Sequence, residues 1–372
     1  DTLFEFSCNY NSKQYLKSRG LKITCKDDIR TYNQTYEYNK ANQLVKECNL
    51  RTGHEKNYSY NDDGSINSVT SFGLKENYHY QKGRLSSITC EPMLNSISIN
   101  YDNLGNVTEI GGKNYTWERG NLLKSYKNSD QTTQYFYNGF GKKIKKILPN
   151  GTIITYNYDN EKLISENWST GLKIRYLYDL EGILGFYLEK DGYGSSYFYI
   201  KDEQGNVVSI LDNDLEIVHY EYDAYGNITI AYSDDDGVAE INPIRWKGLY
   251  CETESDLYFI NGNTYLPSLR QNLSMNIIEE IVQNSFTINA LYPYQITSTN
   301  PIELAFSNHN IFSGLDLVYA PPAKSKWSRL WNEFWKSDVG KILAVEITLF
   351  ACALSIITGT FGCFLIGLAG VG

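Results

Sequence analysis

Seven cysteines (Cys8, Cys25, Cys48, Cys90, Cys251, Cys352 and Cys363) and four histidines (His54, His79, His219 and His309) are the side chains best suited to metal or nucleophilic chemistry. Their spacing serves neither. No two cysteines form a CxxC pair, so zinc spacing is absent, and an odd, scattered set does not describe a disulfide framework. The histidines stand far apart, mostly inside repeated segments, and read as ordinary strand or surface residues. No Ser/His/Asp or Cys/His arrangement, phosphate-binding loop or dinucleotide fingerprint appears. No catalytic residue, metal ligand or cofactor is therefore assigned. The net charge of −9 argues against a general nucleic-acid binder, which would carry a basic face.

The side chain in excess is tyrosine, with 32 copies against 2 Met and 8 Pro. Aromatic pairs separated by one position recur about every twenty residues, a period that marks stacked supersecondary units. The second members fall at Tyr38, Tyr60, Tyr80, Tyr101, Trp117, Tyr137, Tyr158, Tyr178, Tyr199 and Tyr222. Two residues earlier stands Tyr in each case except Ile99. Residues i and i+2 share one face of a strand, so each pair presents both rings to the same side. Polar turns follow, the clearest being Asp102-Asn103-Leu104-Gly105-Asn106 and Asp223-Ala224-Tyr225-Gly226-Asn227, in which Gly supplies a positive φ. Each unit is predicted to be a β-hairpin, and ten hairpins would give about twenty strands. Open sheets rarely exceed roughly ten strands without curling, so the strip should wrap. The tyrosines read first as framework packing; a tyrosine-lined sheet that stacks sugars, and hence a carbohydrate partner, stays open beside it.

The Tyr-x-Tyr-Asp-x-x-Gly-Asn phrases resemble the YD repeats of Rhs-type proteins, shared with the C components of Tc toxins and with teneurins. A second stretch resembles the Rhs-associated core that closes such arrays: Pro243, Arg245, Trp246, Gly248 and Tyr250, continuing through Leu257, Tyr258 and Gly262 to Tyr265 and Pro267. The resemblance implies an all-β fold, a coiled strip of hairpins forming part of a hollow shell, which in bacterial members encloses a C-terminal toxin. Family members that cleave themselves resemble aspartyl proteases. That chemistry needs two carboxylates, one to activate water and one to hold the proton. Here Leu266 and Asn276 stand where the pattern expects Asp, and Asn300-Pro301-Ile302-Glu303 runs into Phe306-Ser307 instead of Asp-Pro. The resemblance therefore argues against self-cleavage, with Glu303 the nearest alternative carboxylate.

After Pro321-Pro322 the composition changes. Trp327, Trp331 and Trp335 fall four apart, one stripe on a helix, among Lys324, Lys326, Arg329, Lys336 and Lys341. This composition suits an interfacial helix or one docked on the strip. Residues 347–372 carry no charge, and about 20 apolar residues span a bilayer as helix. Ala351, Ser355, Gly359, Cys363 and Gly367 recur every fourth position, a small-residue stripe that permits close helix contact in lipid. The predicted organisation is a partial repeat at 1–29, a YD-repeat β-shell at 30–241, the Rhs-like core at 242–275, a diverged linker at 276–322 and a helical, membrane-contacting tail at 323–372. The start at Asp1, without an initiator Met, reads as a fragment or processed chain. The expectation is the C-terminal part of a secreted or cell-surface polymorphic toxin scaffold with partners in a membrane, an enclosed toxin or an immunity protein. The alternative is a surface adhesion or carbohydrate-binding module anchored by its C-terminal helix.

Overall fold

The computed structural model describes residues 2–274, apart from 26–27, 94, 161, 181, 234–236 and 261–262, together with Pro301. The chain divides into two units, Asp1–Tyr319 and Ala320–Gly372, and every described residue belongs to the first. The tail stripe from Trp327 to Gly367, with Gly262 and Glu303, lies outside the described residues. No helix among the described residues is long and apolar enough to cross a membrane.

The repeats form one 22-stranded antiparallel sheet in which each strand pairs with the next along the chain. Nearly every tyrosine pair ends the outgoing strand of a hairpin, as in Asp28–Tyr38, His54–Tyr60, Gln131–Tyr137 and Leu215–Tyr222. The first ring of most pairs is buried: Tyr36, Tyr58, Tyr78, Tyr115 and Tyr135 belong to one apolar cluster, and Tyr156, Tyr176 and Tyr220 to a second. A lone hairpin in water is marginal, so burying this face against neighbouring hairpins is what makes each unit stable.

The second ring does something different. Pairing between neighbouring hairpins stops short of the turn end, for example at Ser125↔Gln134 and Lys145↔Thr155. The carbonyls beyond that point lack a ladder partner from the next hairpin. Tyr38, Tyr60, Tyr101, Tyr137, Tyr158, Tyr178 and Tyr222 donate their hydroxyls to the carbonyls of Leu16, Leu44, Leu85, Leu123, Lys143, Leu163 and Val207, at 2.6–2.9 Å. Trp117 does the same through Nε1 to the Val107 carbonyl. Each acceptor lies at the start of the preceding hairpin's return strand. The tether thus replaces the missing ladder bond.

Tyr199 is not a second ring: the pairing Lys201↔Val207 places Lys201 in that position, directly before the Asp202 turn. Lys201 Nζ accordingly donates to the Ile183 carbonyl, and Tyr199 takes the buried first position. The period was read from the aromatics, but the turn sets the register.

Facing the second ring, nearly every return strand carries one extra residue; opposite Tyr222 the register is regular and the shift falls at His219/Tyr220. Tyr38 pairs with Leu44 while Glu37 pairs with Lys46, and the same offset recurs at Tyr60, Tyr80, Tyr101, Trp117, Tyr137, Tyr158 and Tyr178. These β-bulges sharpen the local twist. They also turn the return strand's inward spacing from two to three. Leu85/Ile88, Val107/Ile110, Leu123/Tyr126, Ile183/Phe186 and Val207/Ile210 are each buried three apart.

Repeated at nearly every hairpin, the bulges curl the strip until its two ends meet. Arg19 pairs with Asp202, Arg30 with Glu216 at 2.7 Å, Arg51 with Glu221 at 2.9 Å and Lys56 with Asp223 at 2.5 Å. Leu21 and Ile23 pack with Val208, and the Tyr32 and His219 rings stack at 3.7 Å.

Replacing Tyr178 by Phe keeps the ring and removes the tether. We expect a loss of about 1 kcal/mol, the usual net value of one hydrogen bond, read from the urea midpoint at unchanged slope. Phe140, 93% exposed at a turn, should tolerate Ser within about 0.5 kcal/mol.

Candidate functional site: the buried closing segment

Residues 237–274 leave the strip and fold against its inward face. They comprise a short helix Val238–Ile241, the turn Trp246–Gly248 and a small four-stranded sheet, Cys251–Glu252, Leu257–Ile260, Asn263–Leu266 and Gln271–Asn272. Trp246 is fully buried, stacked on Tyr265 at 5.5 Å and edge-on to Tyr258 at 5.8 Å. Arg245 donates to the backbone oxygens of Asn242 and Ala239 at 3.0 Å each. Gly248 takes φ 70 within the turn, and Leu257 is fully buried. Tyr265 donates to the Tyr225 carbonyl at 2.7 Å, and the Pro267 carbonyl accepts from Asn227 Nδ2 at 3.2 Å. Of the described members of the Rhs-like phrase, Tyr258 and Tyr265 thus pack on the Trp246 indole, while Arg245, Tyr265 and Pro267 bond to or through backbone groups. The last two YD turns reach the same segment, Asn206 Oδ1 accepting the Lys247 amide at 2.8 Å and Asn227 bonding to Pro267 as above, and Tyr199 in the strand before them donates to Asn242 Oδ1 at 2.6 Å.

The chemistry-bearing groups were not visible as a motif. Most inward positions of the return strands are apolar, but four carry charge: Glu47, Lys143, Lys146 and Glu166. Lys143 and Lys146 both reach Glu252, Lys143 in direct contact with Oε1 and Lys146 at 2.5 Å from Oε2. Lys146 also lies 3.2 Å from Glu254. The rings of Tyr250, Tyr156, Phe259 and Tyr135 surround Lys143 Nζ at 4.3–5.8 Å. Burial and the neighbouring Lys146 charge hold the Lys143 amine well below its ordinary value. Glu166 accepts from Tyr176 at 2.6 Å and from the Trp168 indole at 3.3 Å. A cavity of about 400 Å³ opens beside this cluster, lined by Lys146, Trp168, Arg245, Tyr250 and Glu254 among others.

Glu47 sits where the strip's ends meet. Its oxygens accept from Tyr58 at 2.6 Å and from the Ala224 amide at 2.7 Å. Burial, then the Asp223 charge, pushes its carboxyl up to about 7. Arg270, on the closing segment, holds Glu76 at 3.0 Å and contacts the Tyr78 hydroxyl.

One arrangement resembles a nucleophile relay and is not one. Ser209, His219 and Glu216 are buried together, yet Ser209 Oγ at 3.0 Å and Glu216 Oε1 at 3.1 Å both address His219 Nδ1. A relay needs the hydroxyl and the carboxylate on opposite ring nitrogens. Tyr32 covers the imidazole, and Arg30 holds the carboxylate. This histidine, read from sequence as ordinary, is a closure residue. Cys8, Cys25, Cys48, Cys90 and Cys251 carry free thiols.

Two outcomes test this geometry. A Cβ on Gly226 would meet the Trp246 ring at 2.6 Å with φ +89, whereas at Gly151 (φ +84) nothing lies within 4 Å. Gly151→Ala should cost about 1 kcal/mol from backbone strain alone, and Gly226→Ala about 2–4 kcal/mol through added overpacking, measured by urea unfolding. The second concerns pH. The folded Glu47 carboxyl titrates near 7 against an ordinary 4.5, so its contribution is complete below 4.5 and lost as pH rises towards 7. Glu47→Gln should therefore gain stability on wild type at pH 8 compared with pH 4.5; an equal difference at both values would contradict the assignment.

The sequence description of the teneurin YD-shell family fits residues 1–302. The tRNA3(Ser)-specific nuclease WapA of Bacillus spizizenii is 31% identical over 239 residues, covering 62% of this chain and 10% of that protein. The tRNA nuclease WapA of Bacillus subtilis (strain 168) matches with the same identity and coverage. This chain thus spans about a tenth of the length of the curated relatives it matches. Among solved structures, the TcdB2-TccC3-Cdc42 crystal structure superposes with TM-score 0.57 at 19% identity, over 84% of this chain and 18% of that one. The Photorhabdus luminescens Tc holotoxin pore gives 0.52 at 16% identity, over 84% and 18%. These structures share the fold. The aromatic tethers, the bulged hairpins and the match across residues 1–302 lead to one conclusion: the chain belongs to the teneurin YD-shell family.

Proposed function

We propose that this chain is the shell-forming, C-terminal part of a secreted or cell-surface Rhs-type polymorphic toxin, and that its role is containment. The observation that carries this reading is the meeting of the strip's ends through Arg19–Asp202, Arg51–Glu221 and Lys56–Asp223, which turns a sheet into a wall. In this reading residues 242–275 close the wall, 276–322 serve as linker, and 323–372 are the membrane-contacting segment whose activity the wall holds back. The WapA proteins are named tRNA nucleases; the part shared with them supports the scaffold role here, since hairpins and closing segment account for the described residues.

Containment predicts a silent tail. Dye-loaded anionic vesicles should leak little with the native full chain and strongly once Arg19→Ala and Lys56→Ala open the seam. A chain ending at Pro322 should stay inactive in both forms. Leakage by the truncated chain, or none by the opened full chain, would remove the proposal.

A further inference from the structure

We propose that Lys143 and Glu252 are joined by an isopeptide bond that locks the closing segment to the strip. The proposal rests on geometry. Both side chains are 0% exposed, and Nζ already touches Oε1. The two groups come from separate pieces of the fold, the return strand Lys143–Ile147 and the closing strand Cys251–Glu252.

Amide formation from an amine and a carboxylic acid needs the neutral form of each. In water at neutral pH both are charged, and the pair rests as a salt bridge. Here burial and the neighbouring Lys146 charge favour the neutral amine of Lys143. Removing an ion from water costs several kcal/mol in a real protein interior. Four aromatic rings enclose the amine, and a second cation, Lys146, is held at the same carboxyl. Proton transfer from Lys143 to Glu252 leaves a neutral amine beside a neutral acid. Two groups held in contact also react as if at very high concentration, with effective molarities of ~10⁵ M or more for well-oriented pairs.

The step balances without any co-reactant. The Lys143 Nζ–Glu252 Cδ bond forms and the Cδ–Oε1 bond breaks. Oε1 departs as water with the carboxyl proton and one proton shed by the amine. Negative charge builds on Oε2 as the carbon becomes tetrahedral, and the Lys146 ammonium 2.5 Å away stabilises it. The adjoining cavity, which Lys146, Tyr250 and Glu254 help line, receives the released water. The product removes one buried positive and one buried negative charge and leaves an amide, which costs far less to bury than an ion.

The rest of the strip supports the assignment by contrast. At the equivalent return-strand positions the chain places Leu85/Ile88, Leu123/Tyr126 and Val207/Ile210, so apolar residues serve the packing role there. Glu47 and Glu166 stand at two more of these positions and are met by hydrogen-bond donors, whereas Lys143 and Lys146 meet a carboxylate carried by the closing segment. The bond would close a covalent loop from residue 143 to residue 252 and would hold whether or not the strip contains a tail.

Mass spectrometry of the purified full chain decides the matter. The expected result is a mass one water below that of the sequence, with a branched tryptic peptide linking the Lys143 and Glu252 segments and no cleavage after Lys143. Glu252→Gln should give the same branched product by losing ammonia instead of water. Lys143→Met should show the full sequence mass. A folded wild-type chain with the full mass and normal cleavage after Lys143 would overturn the proposal, whatever the variants do.

Discussion

A hydroxyl bonded to a backbone carbonyl one hairpin back is the interaction on which this molecule depends. Backbone pairing can hold neighbouring hairpins along their middle, but it stops before the turns, where the strands diverge. Tyr38, Tyr60, Tyr101, Tyr137, Tyr158, Tyr178 and Tyr222 carry a donor far enough out to reach the exposed carbonyl. Trp117 combines the same reach with a large apolar body through its indole nitrogen. Each bond is worth about 1 kcal/mol, a small amount that is repeated in most units. Lys201 shows that the position asks for reach and a donor rather than an aromatic ring, because its ammonium takes the same role.

The bulge found opposite nearly every tether gives the strip its curvature. A flat sheet of this size would leave its apolar face to water on one side. By twisting each hairpin a little more, the extra return-strand residue brings distant strands together and lets Leu21 and Ile23 bury against Val208. It also changes what the return strand buries, from every second residue to residues three apart. Closure then places ion pairs across the seam, where Asp202 and Asp223 serve both as turn caps and as partners for Arg19 and Lys56.

The inward face is only one residue layer deep, and a curled layer needs something to cover it. The closing segment provides this with Trp246, Tyr258 and Tyr265 for area and with Asn242, Arg245 and Arg270 for the stranded backbone and carboxyl groups. Buried charge is an expensive way to attach it. Apolar residues of similar volume often pack as well, so stability alone does not account for Lys143, Lys146 and Glu252 at this contact.

The order of hairpins, their all-β character and the buried face were legible in the sequence because side chains alternate with period two and turns require particular residues. The closing phrase from Pro243 to Pro267 was legible as a phrase, though its members' roles around Trp246 were not. The shifted hairpin at Tyr199 was misread because ring spacing was followed in place of the Asp202-Gly205-Asn206 turn, which does lie in the sequence. Aligning return strands would likewise have exposed Lys143 and Lys146 as charged residues at apolar positions. Tertiary structure alone decided who meets them. Lys143 and Glu252, or Arg19 and Asp202, lie more than a hundred residues apart. Their meeting depends on small twists summed over many hairpins, a quantity that no local pattern of residue types records.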